Sequence, residues 1–279
     1  VTTSPPEYGT QNILTALRGK TFLIKYGGAA MEQPHTRDAV CAEVAALSRA
    51  GVRLVVVHGG GKEISRMMER LGLTPQFANG LRITDADAML ITEMVLTGTI
   101  NSDLVARITR HGAPAVGLSG RDANLLRAKK LLGKAGEDLG LTGEVEHTNL
   151  IAVEALLRAN LLPVISPVGE AQNGQPLNLN ADYAAAAIAG ALAVDACVFL
   201  TDVAGVKRDG KVLPELSQQD IEQLISDGTI SGGMIPKVEC MIKALSAGCS
   251  RALICDAARP DVITSALLEE AGCGTIVKK

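Results

Sequence analysis

The sequence predicts an α/β fold built on a mainly parallel central sheet, and three observations carry that expectation. Short apolar runs alternate with stretches of helical periodicity along most of the chain. Hydrophobic residues make up 47% of the 279, but aromatics only 2%, with no tryptophan. The core must therefore be built from Ala, Val, Leu and Ile, which suits buried parallel strands flanked by alanine-rich helices. Two of the apolar runs, TFLIKYGG at 21–28 and RLVVVHGGG at 53–61, end abruptly in glycines. A strand that opens into a glycine loop brings bare backbone N–H groups close to a bound anion, most commonly phosphate.

Taken in order, residues 1–8 read as a loose tail and 10–17 as a weak helical stretch, together a leading segment 1–19. The first strand is predicted at 21–25. Helical spacing over 35–50 stops at Gly51, and 52–57 follows as a buried strand. Residues 62–71 form another helix, and 86–111, closed by Gly112, form the longest. A short strand at 115–118 enters the loop SGRDAN. These alternations favour right-handed crossovers between parallel strands. From 129 to 149 the chain turns polar and glycine-punctuated, with β runs near 141–145, and is read as a hairpin insertion. A helix at 150–160 and a strand at 162–166 precede a turn-rich joint at 167–174, the best boundary between two lobes that share a sheet. Beyond it come a helix from Asn180 to about 192, a strand at 196–202 and a turn at Gly205. Helices follow at 218–227 and 235–247, then a strand at 251–255, a helix at 262–270 and a strand at 275–277.

Several function classes fall away on composition. A formal net charge of −3 and a pI near 5.9 leave no basic surface for nucleic acid. No apolar stretch is long enough to span a bilayer, so no membrane role is expected. The first residues lack the pattern of a signal peptide. Six cysteines are scattered without a C-x-x-C pair or nearby His ligands, which points to no metal site and to buried thiols in a reducing, cytoplasmic setting.

The residues that carry chemistry cluster at the glycine loops and two helix starts. Lys25 ends a buried strand beside Gly27 and Gly28, where its desolvation is offset only if an anion or a carboxylate meets it. The second loop, Gly59-Gly60-Gly61, fits neither G-x-x-x-x-G-K-[ST] nor G-x-G-x-x-G, so its glycines are the signal and a dinucleotide site is not indicated. His58 reads as a packed or hydrogen-bonded histidine rather than a general base. Arg82 follows a turn and precedes a helix start, where it either grips a carboxylate in bidentate fashion or caps the turn. Asn178, Asn180 and Asp182 alternate as the chain enters an alanine-rich helix, and in an extended segment all three would face one side, as a site. Lys237 sits just inside a helix opened by Gly232 and Gly233, where the helix dipole disfavours a cation unless an anion is near.

Eight blocks occur in one order: KYGGAAM, VVVHGGGKEI, NGLRITD, GLSGRDANL, PVISPVG, NLNADYAAAAIA, LTDVAGV and GGMIPKV. On these blocks, which cover nearly all of 20–277, the chain resembles the amino acid kinase family, and within it the members that act on N-acetyl-L-glutamate. The resemblance implies an open three-layer αβα sandwich with a mainly parallel sheet. A lobe at 20–167 would bind the acylated amino acid and dimerise, and a lobe at 168–279 would bind ATP. The implied reaction is ATP-dependent phosphorylation of the γ-carboxylate of N-acetyl-L-glutamate, an early step of arginine biosynthesis. Lys25 and Lys237 would neutralise the transferring γ-phosphoryl, with Asp182 holding both lysines. Amides of the Gly27-Gly28 and Gly59-Gly60 loops would bind phosphoryl oxygens. Gly60, Gly61, Arg82, Asn178 and Asn180 would hold the acetylglutamate, while Thr201, Asp202, Gly233 and Met234 would shape the nucleotide pocket. Mg2+ would bridge the ATP phosphates with few protein ligands. A homodimer or higher homo-oligomer is implied, and a nitrogen-signalling regulator of the kind some relatives bind is left open. Also open are a kinase for acetylated or carrier-linked aminoadipate, one methylene longer, and a non-catalytic nucleotide- or effector-binding subunit of the same fold.

Overall fold

A computed structural model describes residues 16–133, 135–269 and 272–278. The expected tail, most of the weak helix at 10–17 and the Glu270 end of the last expected helix lie outside the described residues. Strand β1 (Thr21–Tyr26) is followed by α1 (Pro34–Arg49), β2 (Arg53–His58), α2 (Gly61–Arg70), β3 (Gln76–Ala78) and β4 (Leu81–Ile83). Helix α3 (Ala86–Glu93) runs through a π-helical segment (Met94–Ile100) into α4 (Asn101–Arg110). Then come β5 (Ala115–Ser119), β6 (Leu126–Leu132), β7 (Asp138–Thr148), α5 (Ile151–Arg158), β8 (Leu162–Ser166), β9 (Val168–Glu170) and β10 (Pro176–Leu179). The remainder is α6 (Ala181–Ala191), β11 (Ala196–Thr201), β12 (Lys207–Arg208), β13 (Lys211–Val212), β14 (Glu215–Leu216), α7 (Gln218–Ser226), α8 (Met234–Ser246), β15 (Arg251–Asp256), α9 (Val262–Leu267) and β16 (Thr275–Lys278).

Eight strands form one sheet in the order β14-β16-β15-β11-β1-β2-β8-β5, parallel throughout except between β15 and β16. Its faces separate by the two-residue period of the strands. Leu23, Val55, Val57 and Phe199 pack under the alanines of α6 and under Val238 and Met241 of α8. Phe22, Ile24, Val56 and Val198 pack instead against Val44 and Leu47 of α1, Leu104 of α4 and Ile263 of α9. Helices therefore cover both faces, and the three-layer αβα sandwich is as expected. The composition explains the spacing: α6 carries Ala184, Ala185, Ala186 and Ala189 on its buried side, and these bring the helix close to the sheet.

Some elements differ from the sequence expectation. The polar interval is a long antiparallel hairpin of β6 and β7, with Lys129 opposite Glu144, and not only a short β run. The joint at 167–174 contains β9, and the extended segment expected at Asn178 is strand β10. Strands β9 and β10 are bonded to β6 and β7 and close a small four-stranded sheet with them. Their three and four residues are too short for a period-two pattern to be read, and long-range pairing is what stabilises them. The Asn79-Gly80 turn joins a further hairpin, β3 to β4, with positive φ at both residues as a type I′ turn needs.

Candidate active site

The carboxyl ends of β1, β2 and β11 are neighbours in the sheet, and the candidate residues stand at them. This edge is where open α/β sheets hold their ligands. Lys25 lies two residues beyond Leu23 and so turns to the same face, the one covered by α6. There its ammonium meets Asp182 Oδ1 at 2.6 Å, both side chains being almost wholly buried. Asp182 occupies the first turn of α6, where the helix dipole favours a carboxylate. Its other oxygen, Oδ2, accepts from Lys237 Nζ at 3.2 Å. Lys237 is in the first turn of α8, and it is Asp182 that offsets the unfavourable dipole there.

The two helices can present these groups to one another because Gly190 of α6 lies directly on Ala247 at the end of α8, with no room for a side chain between them. Burial by itself would raise the Asp182 carboxyl, but the charges of Lys25 and Lys237 outweigh it and hold the group below the usual carboxylate range. One carboxylate thus anchors two ammonium groups drawn from opposite halves of the chain, and one positive charge is left over for an anion. A Cβ on Gly27 would stand 2.9 Å from Lys25 Nζ, so the glycine keeps space around that ammonium open.

The glycine loops are joined to each other. Gly59 N–H donates to the Tyr26 carbonyl at 2.8 Å, which continues the parallel ladder of β1 and β2 one step beyond the strands. The Gly59 amide was expected to face a phosphoryl oxygen and instead is used in the sheet. Gly60 and Gly61 open α2, whose first N–H groups have no acceptor within the helix. In this loop the amides not used by the sheet ladder accordingly begin at Gly60, one residue beyond Gly59.

Arg82 is buried on β4. Its Nη2 donates to Gly61 O and Ser65 Oγ, both at 2.8 Å, and Nη1 lies 3.3 Å from Met68 Sδ. The guanidinium also stacks 4.7 Å from the centre of the Phe77 ring. Among the described residues no carboxylate pairs with it, and burial lowers its pKa. Such a cation has an incomplete environment that a ligand carboxylate would complete. A cavity of about 460 Å³ lined by Gly61, Lys62, Ser65, Arg66, Glu69 and Phe77 opens beside it. A larger one, about 580 Å³, lies between α4 and β5 and contains none of the candidate residues, so volume alone does not mark the site.

The three polar residues expected to share one side do different things. Asn178, on β10, donates to Thr84 Oγ1 at 3.1 Å. Asn180 caps α6, its Oδ1 accepting from the amides of Asp182 at 2.8 Å and Tyr183 at 3.4 Å. Only Asp182 joins the lysines. The alternation ends at Asn180 because the helix starts there, and from that point the period is 3.6 rather than two. Thr201 is buried at the end of β11 and donates to Asp202 Oδ1 at 3.0 Å, while Gly233 and Met234 begin α8. Ser65, Met68, Phe77 and Thr84 are site neighbours that sequence reading missed. The available signal was helical spacing, since Ser65 is one turn beyond Gly61 on α2.

The chain is similar to known proteins along most of its length. Residues 20–256 match the sequence model of the amino acid kinase family. The chain is 43% identical over 270 residues to the acetylglutamate kinase of Granulibacter bethesdensis, covering 93% of this chain and 91% of that one. It is 44% identical over 269 residues to the acetylglutamate kinase of Acidiphilium cryptum, covering 93% and 90%. Among solved structures, N-acetylglutamate synthase from Neisseria gonorrhoeae, complexed with coenzyme A and N-acetyl-glutamate, superposes with a TM-score of 0.85 at 26% identity. That match covers 96% of this chain but only 62% of the synthase.

Proposed function

The chain belongs to the amino acid kinase family, and from that membership and the site we propose that it phosphorylates the γ-carboxylate of N-acetyl-L-glutamate with ATP. The observation that carries this reading is the Lys25–Asp182–Lys237 cluster at the carboxyl edge of the sheet, together with a buried Arg82 that pairs with no carboxylate among the described residues. The acceptor carboxylate is ionised near neutral pH, so the reaction requires no strong base. Its difficulty is to bring two anions together, and positioning with positive charge is what eases it. One γ-carboxylate oxygen attacks the γ-phosphorus of ATP in line, the bond to the β–γ bridging oxygen breaks, and ADP leaves with that electron pair. Lys25 and Lys237 offset charge on the phosphoryl in transit, and Asp182 keeps them in register. The loop amides at Gly28, Gly60 and Gly61 bind oxygens of the phosphoryl and its acceptor. Arg82 takes the α-carboxylate of the amino acid, and Asn178 a neighbouring group.

The division of labour largely follows the chain. The lobe at 20–167, joined by Asn178 on β10, which pairs with β7, holds acetylglutamate, and the rest of 168–279 holds the nucleotide through Thr201, Asp202, Gly233 and Met234. Among the described residues no group of three His, Cys, Asp or Glu side chains is arranged to hold a metal ion, and both Asp182 oxygens face lysines. Mg2+ therefore fits as part of the substrate, carried on the phosphates of ATP. A homodimer or higher homo-oligomer through the first lobe is supported by β5, an edge strand with one sheet neighbour, and by exposed Leu90 and Met94 in the same half. No described helix is long and apolar enough to cross a membrane, and a cytoplasmic setting suits the six buried cysteines.

The test is an ADP-release assay with N-acetyl-L-glutamate, N-acetyl-L-aminoadipate and unacetylated glutamate side by side. The acetylglutamate should react fastest, and Lys25→Ala and Lys237→Ala should each lower turnover by about 10²-fold. Equal rates on glutamate and its acetyl derivative would overturn the substrate, and near-normal turnover in either folded variant would overturn the lysine roles.

A further inference from the structure

His58 ends β2 immediately before the glycines of the second loop and is fully buried. Its two ring nitrogens have different neighbours. Nε2 lies 3.1 Å from Asn101 Nδ2, and Nδ1 lies 2.9 Å from the Gly59 carbonyl oxygen. Asn101 is the first residue of α4, directly after the π-helical segment, and its Nδ2 also donates to Val164 O at 2.9 Å. Gly117 leaves the space in which the Asn101 Oδ1 sits, since a Cβ there would overlap it.

These contacts assign the proton. A carbonyl oxygen such as Val164 O can only accept, so the Asn101 amide must present its nitrogen to it, and the second N–H then faces His58 Nε2. Nε2 is consequently the acceptor, Nδ1 carries the hydrogen, and Nδ1–H donates to Gly59 O. Burial lowers the pKa of the ring to about 4, which keeps it neutral in the same tautomer across the physiological range.

The orientation of a peptide group follows from that tautomer. No described peptide bond is cis, so the Gly60 N–H points opposite to the Gly59 C=O. With the Gly59 N–H bonded to Tyr26 O and the Gly59 C=O bonded to His58, the plane on either side of Gly59 is fixed and Gly60 N–H points away from the imidazole.

We propose that His58 is a positioning residue for phosphoryl transfer: held by Asn101 as the Nδ1–H tautomer, it aims the Gly60 amide at the phosphoryl group in transit. The inference rests on the reading of the chain as a carboxylate kinase. It also explains why a histidine stands beside the loop of an enzyme that needs no general base.

Two measurements test it. In protein labelled with 15N-histidine, the four imidazoles are resolved by NMR and His58 is assigned by its loss in His58→Asn. Wild-type His58 should show a protonated Nδ1 and a bare Nε2 from pH 6 to 8, whereas an Nε2–H tautomer, or titration near the ordinary value of about 6.5, would overturn the proposal. In the second, His58→Gln keeps an acceptor for Asn101 but loses the donor to Gly59, and His58→Asn keeps an N–H where Nδ1 stood. Per folded enzyme, His58→Gln should lower kcat by about 10- to 100-fold with KM for both substrates nearly unchanged, and His58→Asn should retain most of it. Equal kcat in the two variants would overturn the role. A wild type with no turnover of N-acetyl-L-glutamate would overturn the kinase reading and the role together, while the tautomer is still read independently.

Discussion

Among the described residues, buried positive charge stands in two places, and they are built differently. At the sheet edge, Lys25 and Lys237 share the Asp182 carboxylate, so one of the two positive charges is balanced when the protein folds. Under the β3–β4 hairpin, Arg82 has a carbonyl, a hydroxyl, a thioether and an aromatic ring around it, and no carboxylate from the described residues. In the first site the countercharge is internal and stability depends on it. In the second, folding carries the desolvation cost of the guanidinium, and under the proposed function the ligand carboxylate would supply the countercharge. The difference suits their proposed roles: the lysines must keep their geometry while a phosphoryl group passes, whereas the arginine must release its carboxylate each turnover.

The largest effect is expected from Asp182→Asn, which leaves two cations facing each other at a buried site. Turnover should fall by about 10²- to 10³-fold and unfolding free energy by about 3–5 kcal/mol, read by steady-state kinetics and urea titration. An unchanged urea midpoint would show that the carboxylate does not balance the lysines and would erase the contrast. Arg82→Gln should act almost entirely on binding. Its KM for N-acetyl-L-glutamate should rise by about 10- to 100-fold, the worth of one charge-assisted hydrogen-bond pair, with kcat and the urea midpoint little moved. A large loss of stability would place Arg82 in the same class as the lysines.

The smallest effect concerns pH and sharpens where the first site is weakest. Asp182 has a lowered pKa, so its contribution is complete above the ordinary carboxylate value and is lost only as pH falls through the lower native one. His58 behaves otherwise: the unfolded ring takes a proton near 6.5, the native ring near 4, and stability declines between those values as pH falls. The slope is about 1.4 kcal/mol per pH unit, to a total of roughly 3 kcal/mol. Urea unfolding at pH 7, 6 and 5 should therefore weaken faster in the wild type than in His58→Asn. Parallel profiles would mean that the ring is protonated in the native state.

Much of the site could be read from the residues. Lys25 at the end of an apolar run, glycines directly after it and Lys237 in a helix first turn are all local features, and each was a sign of an anion. Arg82 remained ambiguous in sequence between a surface cap and a carboxylate ligand, because its burial under Phe77 depends on a hairpin of two three-residue strands. That Asn180 caps α6 with its Oδ1 is a further detail beyond the sequence, since where α6 begins depends on how β10 pairs with β7 and β9. His58 was read correctly as hydrogen-bonded, but its partner Asn101 is 43 residues away and no pattern connects them.

By itself, the sequence determined where the longer strands and helices lie, that the sheet is mainly parallel, and where glycines open the strand ends. Those properties follow from hydrophobic period and from the backbone freedom of glycine, both of which act between near neighbours. The tertiary structure decided which amides of the loops remain available and which nitrogen of His58 carries its hydrogen. It also decided which cation receives an internal countercharge. Each of these depends on strand register and on the approach of α6 to α8, which bring together groups far apart in the chain. A hydrogen bond or ion pair is a matter of tenths of an ångström, and only packing fixes distances to that degree.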